Sequence, residues 1–193
     1  MKIRGRLSKV MGGELKEPKL MKLFLRAIDP YGGLKLWETE DGFITNEHWA
    51  VRKELMELIQ YQGYVRGRKS VRVSSVIGEI LKKDEEGAVE KNIAVYDSFE
   101  YYAVRTEVVN GRRLDFYVLD IPVLFQRVLA LKKYMDFIDM LVVSALGVFK
   151  RRLYYEEVLK KNAKKEVRPY FMWYQLNGEE HDVVALCTGY VVR

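Results

Sequence analysis

The sequence predicts an α+β fold built from two similar β-α-β-β-β halves, with antiparallel sheets and the helices on one face. Three observations lead there. Turn signals recur: Asp41-Gly42, Asn110-Gly111 and Asn177-Gly178 each separate apolar, aromatic-rich runs, and Asn-Gly supplies the two positive-φ residues that a two-residue type I′ turn demands. Segments with helical apolar spacing stand between these hairpins. Finally, the order of elements repeats, once in 1–90 and once in 91–193, with a charged connection near 84–92 as the boundary inside a single domain.

Taken in order, residues 1–10 are expected as a short strand with basic residues on one face, broken at Gly12-Gly13. Residues 14–28 have the pattern of an amphipathic helix. Leu20, Met21, Phe24, Leu25, Ala27 and Ile28 gather on one side, and Lys16, Lys19, Lys22 and Arg26 form a stripe on the other. The run Asp29-Pro30-Tyr31-Gly32-Gly33 ends that helix, and residues 34–38 alternate as a strand before the Asp41-Gly42 turn and a second strand from Phe43. From Asn46, a candidate N-cap, the chain reads either as a helix burying Val51, Leu55, Leu58 and Ile59 or as an extended His48–Arg52. The basic run 66–72 is expected as a loop leading into a strand, and 76–83 as a short helix.

The hairpin around Asn110-Gly111 is the firmest local feature, with strands on both flanks. Asp120 stands where an N-cap belongs and Pro122 in a first helical turn, so the sequence predicts a helix over 120–134. Residues 140–149 read as a buried strand and 152–165 as a further helix, whose Lys160, Lys161, Lys164 and Lys165 would suit the negative end of its dipole. Strands over 169–176 and 181–192, joined at Asn177-Gly178, close the chain as an antiparallel hairpin.

Composition narrows the function classes. With 49% apolar and 31% charged residues and only 4 Pro, the chain is expected to be globular. Its longest apolar stretches are about half the roughly 20 residues that span a bilayer, and no apolar segment follows the basic start, so a cytoplasmic protein without a membrane span is expected. The lone Cys187, in an apolar run, reads as a buried thiol, and two histidines do not readily assemble a Cys/His zinc site. No cofactor motif is present: Walker A, G-x-G-x-x-G, H-E-x-x-H and G-x-S-x-G are all missing from the sequence.

The net charge of +6 is segregated. Residues 1–26 carry Lys2, Arg4, Arg6, Lys9, Lys16, Lys19, Lys22 and Arg26 against Glu14 and Glu17, and 63–73 carry only cations: Arg66, Arg68, Lys69 and Arg72. The helix stripe and the 66–72 run each read either as an ordinary solvated face or as phosphate contact, and the absence of the Glu that solubility normally interleaves with Lys in the helix points towards phosphate. Two other groupings have chemistry to offer. Glu38, Glu40 and Asp41, with His48 near in sequence, form a candidate Mg²⁺ cluster for a nuclease, or an ordinary acidic turn. Tyr170, Met172 and Tyr174 alternate with Phe171 and Trp173, as a base-stacking platform or as a strand in a core.

The doubled order, with residues 34–45 as an early hairpin and 181–193 as a closing strand, resembles one domain of a DNA sliding clamp, the processivity-factor fold. That resemblance implies two helices lining a DNA-facing surface. It assigns Lys16, Lys19, Lys22 and Arg26 to the first helix and Arg127 and Lys133 to the second, opposite Ile121, Leu124, Phe125 and Val128. The helix over 152–165 has no place in the basic unit, and a ring needs several such domains. A clamp-like domain adapted to another protein-binding role would accommodate both, and a homo-oligomer is the expected assembly.

The expected function is therefore non-enzymatic binding of DNA without sequence specificity, through phosphate contacts from Lys16, Lys19, Lys22, Arg26, Arg66, Arg68, Arg127 and Lys133, with replication or other protein partners. No metal, cofactor or catalytic residue is assigned. The alternatives are an interaction or assembly module, such as a viral one, that does without nucleic acid, and a metal-dependent nuclease using Glu38, Glu40 and Asp41.

Overall fold

A computed structural model describes residues 18–28, 35–85, 93–97, 103–121, 126–147, 149–159, 165–177 and 180–192. It has the α+β architecture that the sequence predicts. Three helices, α1 (Pro18–Ile28), α2 (Val73–Glu85) and α3 (Lys132–Leu146), accompany twelve strands among the described residues. In chain order the strands are β1 (Leu36–Thr39), β2 (Phe43–Thr45), β3 (Trp49–Arg52), β4 (Val65–Lys69), β5 (Ile93–Asp97), β6 (Ala103–Val109), β7 (Arg112–Ile121), β8 (Gln126–Leu131), β9 (Lys150–Leu159), β10 (Lys165–Asn177), β11 (Glu180–Thr188) and β12 (Tyr190–Val192). Eight of them form a sheet in the order β4-β1-β2-β3-β11-β10-β9-β5, and four form a second sheet, β12-β8-β7-β6.

The run β8-α3-β9-β10-β11 is one β-α-β-β-β unit, and α1-β1-β2-β3 repeats its last four elements. The strand expected over 2–9 lies outside the described residues. Within the large sheet, β1-β2-β3 stand against β11-β10-β9, joined by the antiparallel β3–β11 pair (Val51 opposite Ala185, Trp49 opposite Cys187). Helices α1 and α3 lie together on one face, with Phe24 and Phe137 rings 5.6 Å apart and Trp49 of β3 5.3 Å from Phe137. Leu20, Phe24, Ala27, Ile28, Phe137, Ile138 and Leu141 are all buried there.

Several elements depart from expectation. Helix α2 packs on the opposite face of the large sheet, where Val73 and Ile77 meet Phe43, Tyr154, Met172, Tyr174 and Leu186, so the helices do not share one face. The sheets are antiparallel except at β1–β4, which run parallel. The second unit is shifted along the chain. Of the helix expected over 120–134, only 132–134 are helical, as the first turn of α3. Residues 120–121 and 126–131 are strand, Asp120 standing opposite Arg127 in the β7–β8 ladder, and 122–125, Pro122 included, lie outside the described residues. Val128, Leu129, Ala130 and Leu131 are consecutively buried, and a strand covered on both faces loses the alternation that would have marked it.

The segment read as a strand, 140–149, is instead the second half of α3 and the residues after it. A short apolar run does not separate a buried strand from a buried helix. The decisive signal is Gly147, at φ +78°, whose N–H donates to the Val143 carbonyl and ends the helix. The described part of 152–165 is not helical either: 152–159 belong to β9 and Lys165 opens β10, while 160–164, with Lys160, Lys161 and Lys164, lie outside the described residues. Leu153 and Tyr154 are buried on opposite faces, Leu153 in the α1–α3 core and Tyr154 in the cluster under α2. The helix with no place in the repeated unit is thus one of the strands the unit requires.

The basic run 66–72 is largely strand β4, and the residues after Asn46 take the extended option, followed by a short 3-10 turn, Leu55–Leu58. Asn46 does not cap a helix. Its Oδ1 accepts from the N–H groups of His48 and Trp49, and its Nδ2 donates to the Ala27 carbonyl, which also accepts from Trp49 Nε1. These bonds tie the β2–β3 turn to the end of α1.

Among the turns, Asn110 (φ +49°) and Gly111 (φ +75°) join β6 to β7 as the sequence predicts, and Gly42 (φ +79°) joins β1 to β2. No helix among the described residues is long and apolar enough to cross a membrane.

Candidate nucleic-acid interface

Of the eight cations proposed from sequence, Lys16 lies outside the described residues. Lys19, Lys22 and Arg26 are exposed along α1, and no acidic residue stands among Pro18–Ile28. Their spacing puts like charges at i,i+3 and i,i+4, which costs a helix about 0.2–0.5 kcal/mol per pair. Lys19 also sits in the first turn, where the helix dipole disfavours a cation, whereas Arg26 in the last turn is favoured. Helix stability therefore does not account for the stripe.

Arg66 and Arg68 are both exposed on β4. Arg68 stands beside Glu38 in the β1–β4 register, and Glu38 stands beside Ile44, which belongs to the α1–α3 core. The register thus puts Arg68 on the side of the large sheet that carries α1, while Arg66 is the extra residue of a bulge between Val65 and Gly67. The ring of Tyr64, just before β4, meets Phe24 of α1 edge-on at 5.7 Å, so the chain entering β4 touches α1. None of Lys19, Lys22, Arg26, Arg66 or Arg68 forms an ion pair with another described residue. Cations on an edge strand also discourage unwanted strand pairing, so α1 carries more weight than β4.

The remaining two cations are not brought to that stripe as expected. Arg127 is on strand β8 of the small sheet and not on a helix. Lys133 is on α3 but half-buried, and the outer face of α3 is mixed in sign. There Asp136 takes Lys132 and the phenol of Tyr117, while Asp139 takes Arg151 and Trp173. Sequence reading missed this row because its partners come from β7, β9 and β10. A groove of about 500 Å³ lies between α1 and α3, lined by the apolar Leu23, Met140, Val143 and Phe149 and by the charged Lys19, Asp136, Asp139 and Arg151.

The carboxylates proposed for a metal are each engaged elsewhere. Glu38 pairs with Lys53 at 2.9 Å and Glu40 with Arg72 at 3.6 Å. Asp41 accepts from the Ser74 N–H at the start of α2 and from the Thr39 hydroxyl, both at 2.6 Å. No group of three metal-ligating side chains occurs among the described residues. His48 is half-buried and stacks on Tyr134 at 6.0 Å, and its burial lowers the imidazole pKa despite the opposing charge of Glu47.

Nor does β10 offer a stacking platform. Tyr174 is buried with Met172, Tyr170 is half-buried, and Phe171 and Trp173 fill the other face. Cys187 is fully buried, which pushes its thiol pKa far up.

No protein-family model, curated protein or solved structure matches this chain.

Proposed function

We propose that this protein binds DNA without enzymatic activity, as a clamp-like domain that contacts phosphates through a cationic helix face and reads no base sequence. The observation that carries this reading is the α1 stripe: Lys19, Lys22 and Arg26 stand exposed without an acid in the helix, on the side of the large sheet that also presents Arg68. Lysine-rich stripes sense charge, not base edges, so discrimination among sequences is not part of the reading. The clamp-like element of it rests on the repeated order of α1-β1-β2-β3 and β8-α3-β9-β10-β11. A cytoplasmic setting and replication proteins as partners go with it.

Fluorescence anisotropy with duplex and single-stranded DNA at several salt concentrations is the test. Binding should weaken steeply with salt. Replacing Lys19, Lys22 and Arg26 together with Gln should lower the slope of log K against log salt by roughly 0.9 for each phosphate that is no longer neutralised. Absence of binding at low salt, or binding indifferent to the triple replacement, would overturn the reading.

A second reading, an interaction or assembly module, is favoured by the apolar part of the α1–α3 groove lining, with Val143 44% exposed. Partner binding that is insensitive to salt and abolished by Val143→Glu would support it.

A further inference from the structure

Strand β6 is the outer strand of the small sheet, and among the described residues no strand pairs with its open edge. Natural edges of this kind are blunted by charged side chains, Lys above all, by Pro, by a bulge or by a covering element, and the charges of β6 are one pair of opposite sign, Arg105 and Glu107. Over Ala103–Val109 there is no Lys, no Pro and no Gly, and the register with β7 runs unbroken from Ala103 opposite Val118 to Val109 opposite Arg112. The strand is also exposed: Val104 is 53% accessible and Val108 69%.

The hairpin geometry says which backbone groups are offered. The two-residue turn Asn110-Gly111 makes Val109 and Arg112 a hydrogen-bonded pair, and such pairs alternate along an antiparallel ladder. Glu107 and Arg105 thus turn their N–H and C=O groups towards β7. Val104, Thr106 and Val108 turn theirs outwards.

The sequence of the strand, Ala-Val-Arg-Thr-Glu-Val-Val, is self-complementary about Thr106. We propose that the open edge of β6 pairs antiparallel with the same edge of a second copy of this chain, about a two-fold axis at Thr106. Thr106 then faces Thr106 of the partner, Val104 faces Val108, and Arg105 faces Glu107. The residues that meet as hydrogen-bonded pairs are those whose backbone groups already point outwards. Arg105 and Glu107 fall in the non-hydrogen-bonded positions, where opposed side chains approach most closely. They pair with each other within the chain, and in the dimer each gains its opposite charge from the partner. On the other face the valines cover one another. A contact of this kind is isologous and closes at two copies. Charge and apolar pattern therefore both select a second copy over an unrelated strand.

Sedimentation velocity or light scattering over a range of concentrations tests this. The wild type should be a dimer. Thr106→Pro should make it a monomer without unfolding the hairpin, because it deletes an N–H that points away from β7, and edge strands tolerate Pro there. Arg105→Glu alone and Glu107→Arg alone should each dissociate the dimer by opposing like charges, and the two together should restore it. A wild-type monomer or an assembly larger than a dimer overturns the inference. So does a dimer that survives Thr106→Pro, or a double exchange no better than its single changes. Circular dichroism on each variant confirms that it is folded.

Discussion

The indole N–H of Trp173 donates to Asp139 Oδ1 at 2.7 Å, joining the core of the large sheet to the outer face of α3. The other carboxylate oxygen accepts from Arg151 at 2.9 Å, so one aspartate links α3, β9 and β10. Trp173 is fully buried, and without Asp139 its N–H would lose this acceptor. Asp139→Ala should destabilise the protein by about 1–3 kcal/mol, measured by denaturant unfolding. Asp139→Asn, which keeps an acceptor oxygen, should cost less. Equal stability of Asp139→Ala and wild type would show that the link contributes nothing.

Gly189 sits where the chain passes from β11 in the large sheet to β12 in the small one. A Cβ there would lie 2.8 Å from the Phe171 ring, 3.0 Å from Pro169 and 3.3 Å from the Leu129 carbonyl. Phe171 is fully buried and has little room to yield. Gly189→Ala should therefore cost about 1–3 kcal/mol through overpacking, visible as a lower unfolding midpoint in urea. At Gly63, where a Cβ would meet nothing within 4 Å, the same change should be nearly neutral.

Asp41 caps α2 from the β1–β2 turn. Burial opposes its charge, but the hydrogen bonds from Ser74 and Thr39 prevail and hold its carboxyl below the ordinary 3.8. A folded-state pKa below the unfolded one contributes stability above 3.8, lost as pH falls through the folded value. Asp41→Ala should cost about 1 kcal/mol near neutrality, with the gap to wild type closing in acid. A gap that is constant from neutrality into acid would contradict the ionised cap.

Tyr117 donates to Asp136, and burial, that bond and the Asp136 charge together push its phenol pKa up to about 12. The folded state holds this proton more tightly, so the contribution is full below 10.0 and is lost as pH rises towards 12. In an alkaline titration of ring-labelled tyrosine followed by NMR, the resonance that Tyr117→Phe removes should be among the last to shift. A midpoint near 10 would remove the basis for the Tyr117–Asp136 link.

Much of this architecture is legible in the chain because it depends on local chemistry. Asn110-Gly111 and Asp41-Gly42 name their hairpins through residues that tolerate positive φ. The α1 pattern is nearly self-evident, with Leu20, Phe24, Ala27 and Ile28 buried and Lys19, Lys22 and Arg26 outside. Only Leu25, 43% exposed, departs from its assigned side. Cys187 is the buried thiol its apolar run suggests.

Elements covered on both sides escape sequence reading, for a common reason. Residues 126–131 are a strand within a sheet, and α3 is a helix buried along most of its surface. Once both faces are apolar, neither period 2 nor period 3.6 survives in the sequence. Asp120 and Pro122 then resemble a helix start. Gly147 is the overlooked cue, since it marks where α3 stops. Strand β9 escapes differently, because Leu153, Val158 and Leu159 fall at helical spacing.

Local turn chemistry, an amphipathic first helix and segregated charge are thus set by residue order, because each depends on neighbours within a few positions. The tertiary structure alone decided which cations share a side with α1, that Arg127 belongs to a strand, and that Glu38, Glu40 and Asp41 diverge to Lys53, Arg72 and Ser74. It also decided that β6 is an edge. Those outcomes depend on contacts between residues far apart in the chain, and strand pairing, not local preference, brings such residues together.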